Sequence, residues 1–175
     1  MKAVIHKKYG PPSVLEILNI DKPIPKNNEI LIRVYATTVN RTDCAMLRAK
    51  PFIMRFFTGF LKPSKPILGT DFAGQIEALG SNVTSFKIGD RVFGLNDSGL
   101  SSHSQFMSIQ QDKAIVIMPS NCSYQEAAAS LEGVHYAYNI RKKINILKGQ
   151  KTLVNGATGA IGSALVQILK YYGAH

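Results

Sequence analysis

Leu153-Val154-Asn155-Gly156-Ala157-Thr158-Gly159-Ala160-Ile161-Gly162 decides how the C-terminal part of the chain is read. Thr152-Leu153-Val154, leading in, reads as a short buried strand. Leading out, Ile161, Ala164, Leu165, Ile168, Leu169 and Tyr172 fall on one face at helical spacing, and Gly173 is placed to stop that helix. A glycine-rich turn between strand and helix gathers free amides at the positive end of a helix dipole, which suits a diphosphate. Gly159 and Gly162 occupy the last two positions of Gly-x-Gly-x-x-Gly, with Ala157 at the first. A turn that needs glycine only for its own geometry is the alternative. The flanking strand and helix favour a dinucleotide loop, with Asn155, Gly156, Ala157, Thr158, Gly159, Ala160, Ile161 and Gly162 as the cofactor-binding residues. The residue that reads the ribose lies ~20 positions further on, past His175, so NAD and NADP are not distinguished.

Upstream, Ser123-Tyr124-Gln125-Glu126 has the Ser-x-x-Glu form of a capping box and opens a helix expected to run to Arg141. Before it, residues 1 to about 118 read as short strands. Ile30, Ile32, Val34 and Ala36 alternate with Leu31, Arg33 and Tyr35. Gly74, Ile76 and Ala78 alternate with Gln75 and Glu77. Val92–Leu95 and Ala114–Ile117 are further strands. Pro11-Pro12, Pro23-Ile24-Pro25, Asn27-Asn28, Gly80-Ser81-Asn82 and Asn96-Asp97-Ser98-Gly99 supply turns between them. The pattern indicates an irregular barrel or sandwich.

The 175 residues hold 21 Lys plus Arg against 11 Asp plus Glu, a net charge of +10, with 45% hydrophobic residues. Such a composition excludes a disordered chain, and no apolar run reaches the ~18 residues of a membrane span. The cations are scattered, so they read as solvated surface, and neither a nucleic-acid nor a membrane partner is expected. Two cysteines, Cys44 and Cys122, exclude a disulfide scaffold. The N-terminus lacks a secretory signal, and a cytoplasmic location is expected. Phe52-Ile53-Met54-Arg55-Phe56-Phe57-Thr58-Gly59-Phe60-Leu61 is too short to cross a bilayer. It reads either as a wall for a hydrophobic substrate or as a helix packed on the barrel.

Gly69-Thr70-Asp71-Phe72-Ala73-Gly74-Gln75-Ile76-Glu77-Ala78-Leu79-Gly80, followed by Val83, Phe86 and Gly89-Asp90-Arg91-Val92-Phe93-Gly94, carries a resemblance over essentially the whole chain. The sequence resembles the medium-chain dehydrogenase/reductases, in particular their zinc-free quinone oxidoreductase-like branch. Asn155–Gly162 matches the cofactor loop of that branch. The resemblance implies a mixed α/β fold: a GroES-like β-barrel catalytic domain (residues 1–122), then a linker helix and the first β-α unit of a truncated Rossmann domain (residues 123–175). It implies hydride transfer from NADPH, with NADH as the other candidate, to a small hydrophobic quinone, enone or related carbonyl in an interdomain cleft, and it is compatible with a homodimer. The competing reading is a non-catalytic GroES-like module binding protein or nucleic acid.

The zinc alcohol dehydrogenases carry a Cys near Asn40 and a His-Glu pair near Thr70-Asp71. Neither is present here, and His6, His103, His135 and His175 show no paired spacing, so no metal is expected. Without a Lewis acid, a developing oxyanion needs hydrogen-bond donors. By the resemblance, Asn40 faces the nicotinamide. His135 and Tyr136 stand where relatives keep a Thr-Ala pair beside it and are candidate donors. Each has a structural alternative: Asn40 or Thr42 capping a short helix that starts at Asp43, and His135 and Tyr136 as packed helix residues. Asp71 reads as a structural acceptor. Relatives are longer than this chain, and residues 151–175 alone would leave strand edges bare. A longer enzyme, or a second chain supplying the remainder, is therefore expected, and these 175 residues by themselves are expected to bind NADPH weakly.

Overall fold

The computed structural model describes residues 1–97 and 100–175. The Ser98-Gly99 part of one expected turn lies outside the described residues. The chain divides into two compact units, Met1–Ala129 and Ser130–His175.

The first unit contains β1 (Lys2–His6), a 3-10 turn (Pro12–Val14), β2 (Leu15–Asn19), β3 (Glu29–Thr37), α1 (Arg41–Arg48), α2 (Met54–Thr58), β4 (Asp71–Leu79), β5 (Arg91–Leu95), β6 (Phe106–Gln110), β7 (Ala114–Ile117) and α3 (Tyr124–Ala129). β1 and β2 form a hairpin sheet. The other strands form a curled antiparallel sheet in the order β6-β3-β4-β5-β7. The expected barrel is realised as this curled sheet, and among the described residues its two edges are not joined to each other. Single bridges, Ala3 to Ser104 and Ile5 to Ile67, fasten the hairpin to the loops.

Period-2 alternation builds the core. Ile30, Ile32, Phe72, Ile76, Val92, Met107, Ile109 and Ile115 pack together, with Val83 and Phe86 against them. Ile32 lies opposite Ile76 on one side and Met107 on the other, so β-branched and long apolar side chains meet across strands. The start of β4 is buried on both faces, because Ala127 and Ala128 of α3 cover Ala73 and Met118. This packing places α3 in the first compact unit.

The capping box of α3 forms as read: Ser123 Oγ accepts from the Glu126 amide (3.2 Å) and Glu126 Oε2 accepts from the Ser123 amide (2.9 Å). The helix expected to continue to Arg141 instead breaks at Ser130 and restarts as α4 (Leu131–Lys143). In the second unit α4 packs on α5 (Ala160–Tyr171). The approach is close at Gly133, where a Cβ would stand 2.7 Å from the Ala160 carbonyl oxygen. Arg141 lies over the Tyr172 ring at 3.8 Å. Gly173, at φ +79°, ends α5. The middle of its predicted apolar face is buried (Ala164, Leu169), whereas Ile161 and Tyr172 at its ends are exposed.

The buried strand expected at Thr152–Val154 is corrected. Leu153 is 96% exposed, and no ladder covers it. Burial of a central parallel strand comes from neighbours on both edges and both faces. One pairing is present: the Thr152 amide donates to the His175 carbonyl (2.7 Å) and the His175 amide to the Gln150 carbonyl (2.9 Å). That is the slanted pattern of a parallel pairing, limited to these two bonds, and no strand forms among the described residues of the second unit.

Candidate functional site

The glycine loop presents a cradle of backbone donors. Gly159 is the N-cap of α5 (φ −82°, ψ 165°), and no side chain caps the helix. The Gly159 amide is used internally, donating to the Gly156 carbonyl at 3.1 Å. Among the described residues, the amides of Ala157, Thr158, Ala160, Ile161 and Gly162 have no acceptor. No acidic residue sits in the first turn of α5, so nothing there opposes an anion at the positive helix end. The two motif glycines have different roles. A Cβ on Gly162 would collide with the Gly156 carbonyl, so this glycine lets the helix seat on the loop. A Cβ on Gly159 would meet nothing closer than the Gly156 carbonyl at 3.6 Å. Its missing side chain leaves space open on the outside, where a ligand would approach.

The first unit holds a polar cluster between the ends of β3 and β4. Asn40 caps α1, and its Oδ1 accepts from the Asp43 amide (2.9 Å). The Asp43 carboxylate accepts from the Asn40 amide (3.0 Å) and from the Gly69 amide (3.0 Å). The Asn40 Nδ2 group donates to Thr70 Oγ1 (2.6 Å) and Asp71 Oδ2 (3.2 Å). Thr38 donates a second bond to Asp71 Oδ2 (2.6 Å). His103 bonds the Thr38 carbonyl through Nε2 (2.8 Å) and approaches Asp43 to 3.8 Å. Asp71 is buried, and its Oδ1 has no hydrogen-bond partner. Burial raises the Asp71 pKa; the Thr38 and Asn40 bonds oppose this, and the Asp43 charge adds to it.

That cluster adjoins a largely apolar groove of about 810 Å³, lined in part by Val34, Ala36, Val39, Leu47, Leu68 and His103. None of residues 52–61 lines it. Met54, Phe57 and Thr58 line a smaller cavity of about 260 Å³ instead, so the segment expected as a substrate wall does not border the large groove.

Residues 26–140 match the alcohol dehydrogenase GroES-like domain. The chain belongs to that family. It is 34% identical to the human quinone oxidoreductase over 99% of this chain and 50% of that protein. It is 31% identical to a 2-methylene-furan-3-one reductase of Solanum lycopersicum, over 98% of this chain and 44% of the relative. Among solved structures, the quinone oxidoreductase of Coxiella burnetii superposes with a TM-score of 0.89 at 25% identity, over 99% of this chain and 54% of that one. The Escherichia coli quinone oxidoreductase complexed with NADPH gives a TM-score of 0.82 at 30% identity, over 99% and 51%. The chain spans about half the length of the curated relatives it matches. Within the medium-chain dehydrogenase/reductases it is a quinone oxidoreductase-like member.

In this GroES-like unit the capping reading of Asn40 holds, with α1 starting at Arg41 rather than Asp43. Its oxygen and both amide hydrogens are committed within the protein, so Asn40 positions Asp71 and Thr70. His135 and Tyr136 lie on an exposed face of α4, their rings 5.6 Å apart and near perpendicular, rather than packed in a core. His135 Nε2 is 3.2 Å from Asn139 Nδ2. The Tyr136 hydroxyl makes no hydrogen bond to a described residue. Among the described residues no three His, Cys, Asp or Glu are grouped to hold a metal ion. Thr38, Asp43 and His103 belong to the cluster but were not expected there. The Asn-x-x-Asp spacing signals the Asn40–Asp43 box, whereas nothing in sequence joins His103 to it.

The raised Asp71 pKa has a consequence for stability. Between the unfolded value near 3.8 and the higher folded value, the native state holds more protons than the unfolded one. Stability assigned to this group is therefore present in acid and lost as pH rises through that window. Asp71→Asn keeps an oxygen acceptor for Thr38 and Asn40 and removes the charge. Its stability relative to wild type is expected to improve from pH 4 to pH 7, read from urea midpoints at both. A difference that does not change with pH contradicts the assignment.

Proposed function

We propose that the protein is an NAD(P)H-dependent oxidoreductase that transfers hydride to a quinone, an enone or a related activated carbonyl, without zinc. The carrying observation is the group of five uncommitted amides around the uncapped start of α5, with open space outside Gly159. Asn155–Gly162 would hold the cofactor diphosphate through these amides and the helix dipole. When bound, the dinucleotide supplies the hydride. The relatedness to quinone oxidoreductases and to the furanone reductase supports the acceptor class.

The chain's own residues have separable tasks in this reading. Gly162 seats α5 so that its first amides point at one place. Asn40, with its hydrogen bonds spent on Thr70 and Asp71, fixes the polar end of β4 beside the groove. Tyr136, with an unbonded hydroxyl, and its neighbour His135 are the proposed donors of a hydrogen bond or proton to the carbonyl oxygen. The apolar groove suits a small hydrophobic acceptor.

The test is the loss of NADPH absorbance by the complete gene product with 1,4-benzoquinone and with an alkyl vinyl ketone. At least one acceptor is expected to drive cofactor oxidation, and Tyr136→Phe is expected to slow it about tenfold or more. A folded protein that oxidises neither NADPH nor NADH with any such acceptor contradicts the proposal.

A further inference from the structure

The stretch between α1 and β4 carries a surface that the redox reading does not use. Phe52, Ile53, Phe56, Phe57, Phe60 and Leu61 are all exposed, with Phe57 at 78% and Leu61 at 86%. Three of them cluster: the Phe52, Phe56 and Phe60 rings stand 5.7 to 6.4 Å apart, two of the pairs edge-on and the third tilted. The patch is anchored from beneath. Tyr9, three residues past the end of β1, bonds Thr58 Oγ1 (2.8 Å) and the Gly59 carbonyl (2.6 Å). Arg55 lies over the Tyr9 ring at 5.0 Å and donates to the Phe60 carbonyl (3.2 Å).

Within this stretch the charges are all positive, and the nearest acidic side chain, Asp97, lies at one margin, where it shares the lining of the smaller cavity with Phe57 and Lys65. Arg48, Lys50, Lys62 and Lys65 are exposed on either side of it, and no Asp or Glu occurs between Asp43 and Asp71. Exposed aromatic and aliphatic side chains flanked by cations fit an interface that is apolar inside and anionic at its boundary. A second copy fits poorly, because a two-fold contact through this face would set each rim of cations against its equal. We propose that residues 48–65 form a docking face for an anionic phospholipid bilayer. Phe56, Phe57 and Leu61 enter the acyl boundary, and Lys50 and Lys62 meet phosphate headgroups.

No helix of the described residues is long and apolar enough to cross a membrane. Too short to span a bilayer, residues 52–61 can still lie on its surface, and the cations scattered over the rest of the chain here flank an apolar stretch. The proposal does not rest on the redox function.

Co-sedimentation of the complete gene product with vesicles tests it. With equal parts phosphatidylcholine and phosphatidylglycerol, binding is expected. With phosphatidylcholine alone, binding is expected to fall about tenfold or more. Phe56→Ser with Leu61→Ser, and separately Lys50→Glu with Lys62→Glu, are each expected to weaken anionic-vesicle binding about tenfold. All four side chains are exposed, so the melting temperature should hold and report that the fold is intact. A folded wild-type protein that stays in the supernatant overturns the proposal. So does vesicle binding that neither pair alters, or a dimer that these substitutions dissociate while vesicle binding is unmoved.

Discussion

In the complete gene product, Gly159→Val is expected to weaken NADPH binding about a hundredfold, roughly 2.7 kcal/mol, with little change in melting temperature. The two halves of that expectation have separate causes. The fold tolerates the change because Gly159 has an ordinary negative φ and a Cβ there meets only the Gly156 carbonyl, at 3.6 Å. Cofactor affinity does not, because the isopropyl group is added at the N-cap of α5, next in the chain to the Ala160 and Ile161 amides that are left for a diphosphate. Gly162→Val supplies the contrast. Its Cβ would collide with the Gly156 carbonyl, so the second unit loses stability along with binding. Fluorescence titration and thermal melts of the two variants separate these outcomes. Equal affinity in Gly159→Val and wild type would remove the loop assignment.

Phe72→Ala is expected to destabilise the first unit by about 3–5 kcal/mol. Phe72 is fully buried near the start of β4, opposite Thr37 of β3 and Gly94 of β5. Removing its ring opens a cavity among Ile, Val and Met side chains held by strands on both sides. Those neighbours are fixed by the ladder and close the gap only in part. Urea unfolding followed by far-UV circular dichroism measures the loss. Phe57→Ala, at a ring that is 78% exposed, should shift stability by no more than about 0.5 kcal/mol. Similar losses at both positions would show that the core has been misassigned.

The first unit was legible in sequence wherever one face of a strand meets the core. Ile30, Ile32 and Ile76 follow the period-2 reading, as do Gln75 and Glu77 on the other face. The reading fails where both faces are covered. Ala73 is buried because α3 folds back over it, and alternation carries no record of that helix. Leu153 fails in the opposite sense: its apolar run suits a central strand, but burial there depends on neighbouring strands rather than on the run itself. The turn into α5 was readable because its glycines and the helix start lie within one short stretch. The Asn40–Asp71–Thr38–His103 cluster was not, because strand register brings together residues as far apart as Thr38 and His103. Asn40 illustrates the limit. Its residue type and position suggest a ligand contact, yet only the structure shows every hydrogen-bonding group on its amide already taken.

The claim on which the account rests is that the backbone from Ala157 to Gly162 receives the pyrophosphate of a nicotinamide dinucleotide. Backbone-amide chemical shifts of the 15N-labelled protein, recorded across an NADPH titration, address it residue by residue. The amides of Thr158, Ala160, Ile161 and Gly162 should move first and furthest, saturating with the same affinity that fluorescence reports. NADPH binding that leaves these amides in place while moving others would contradict the account.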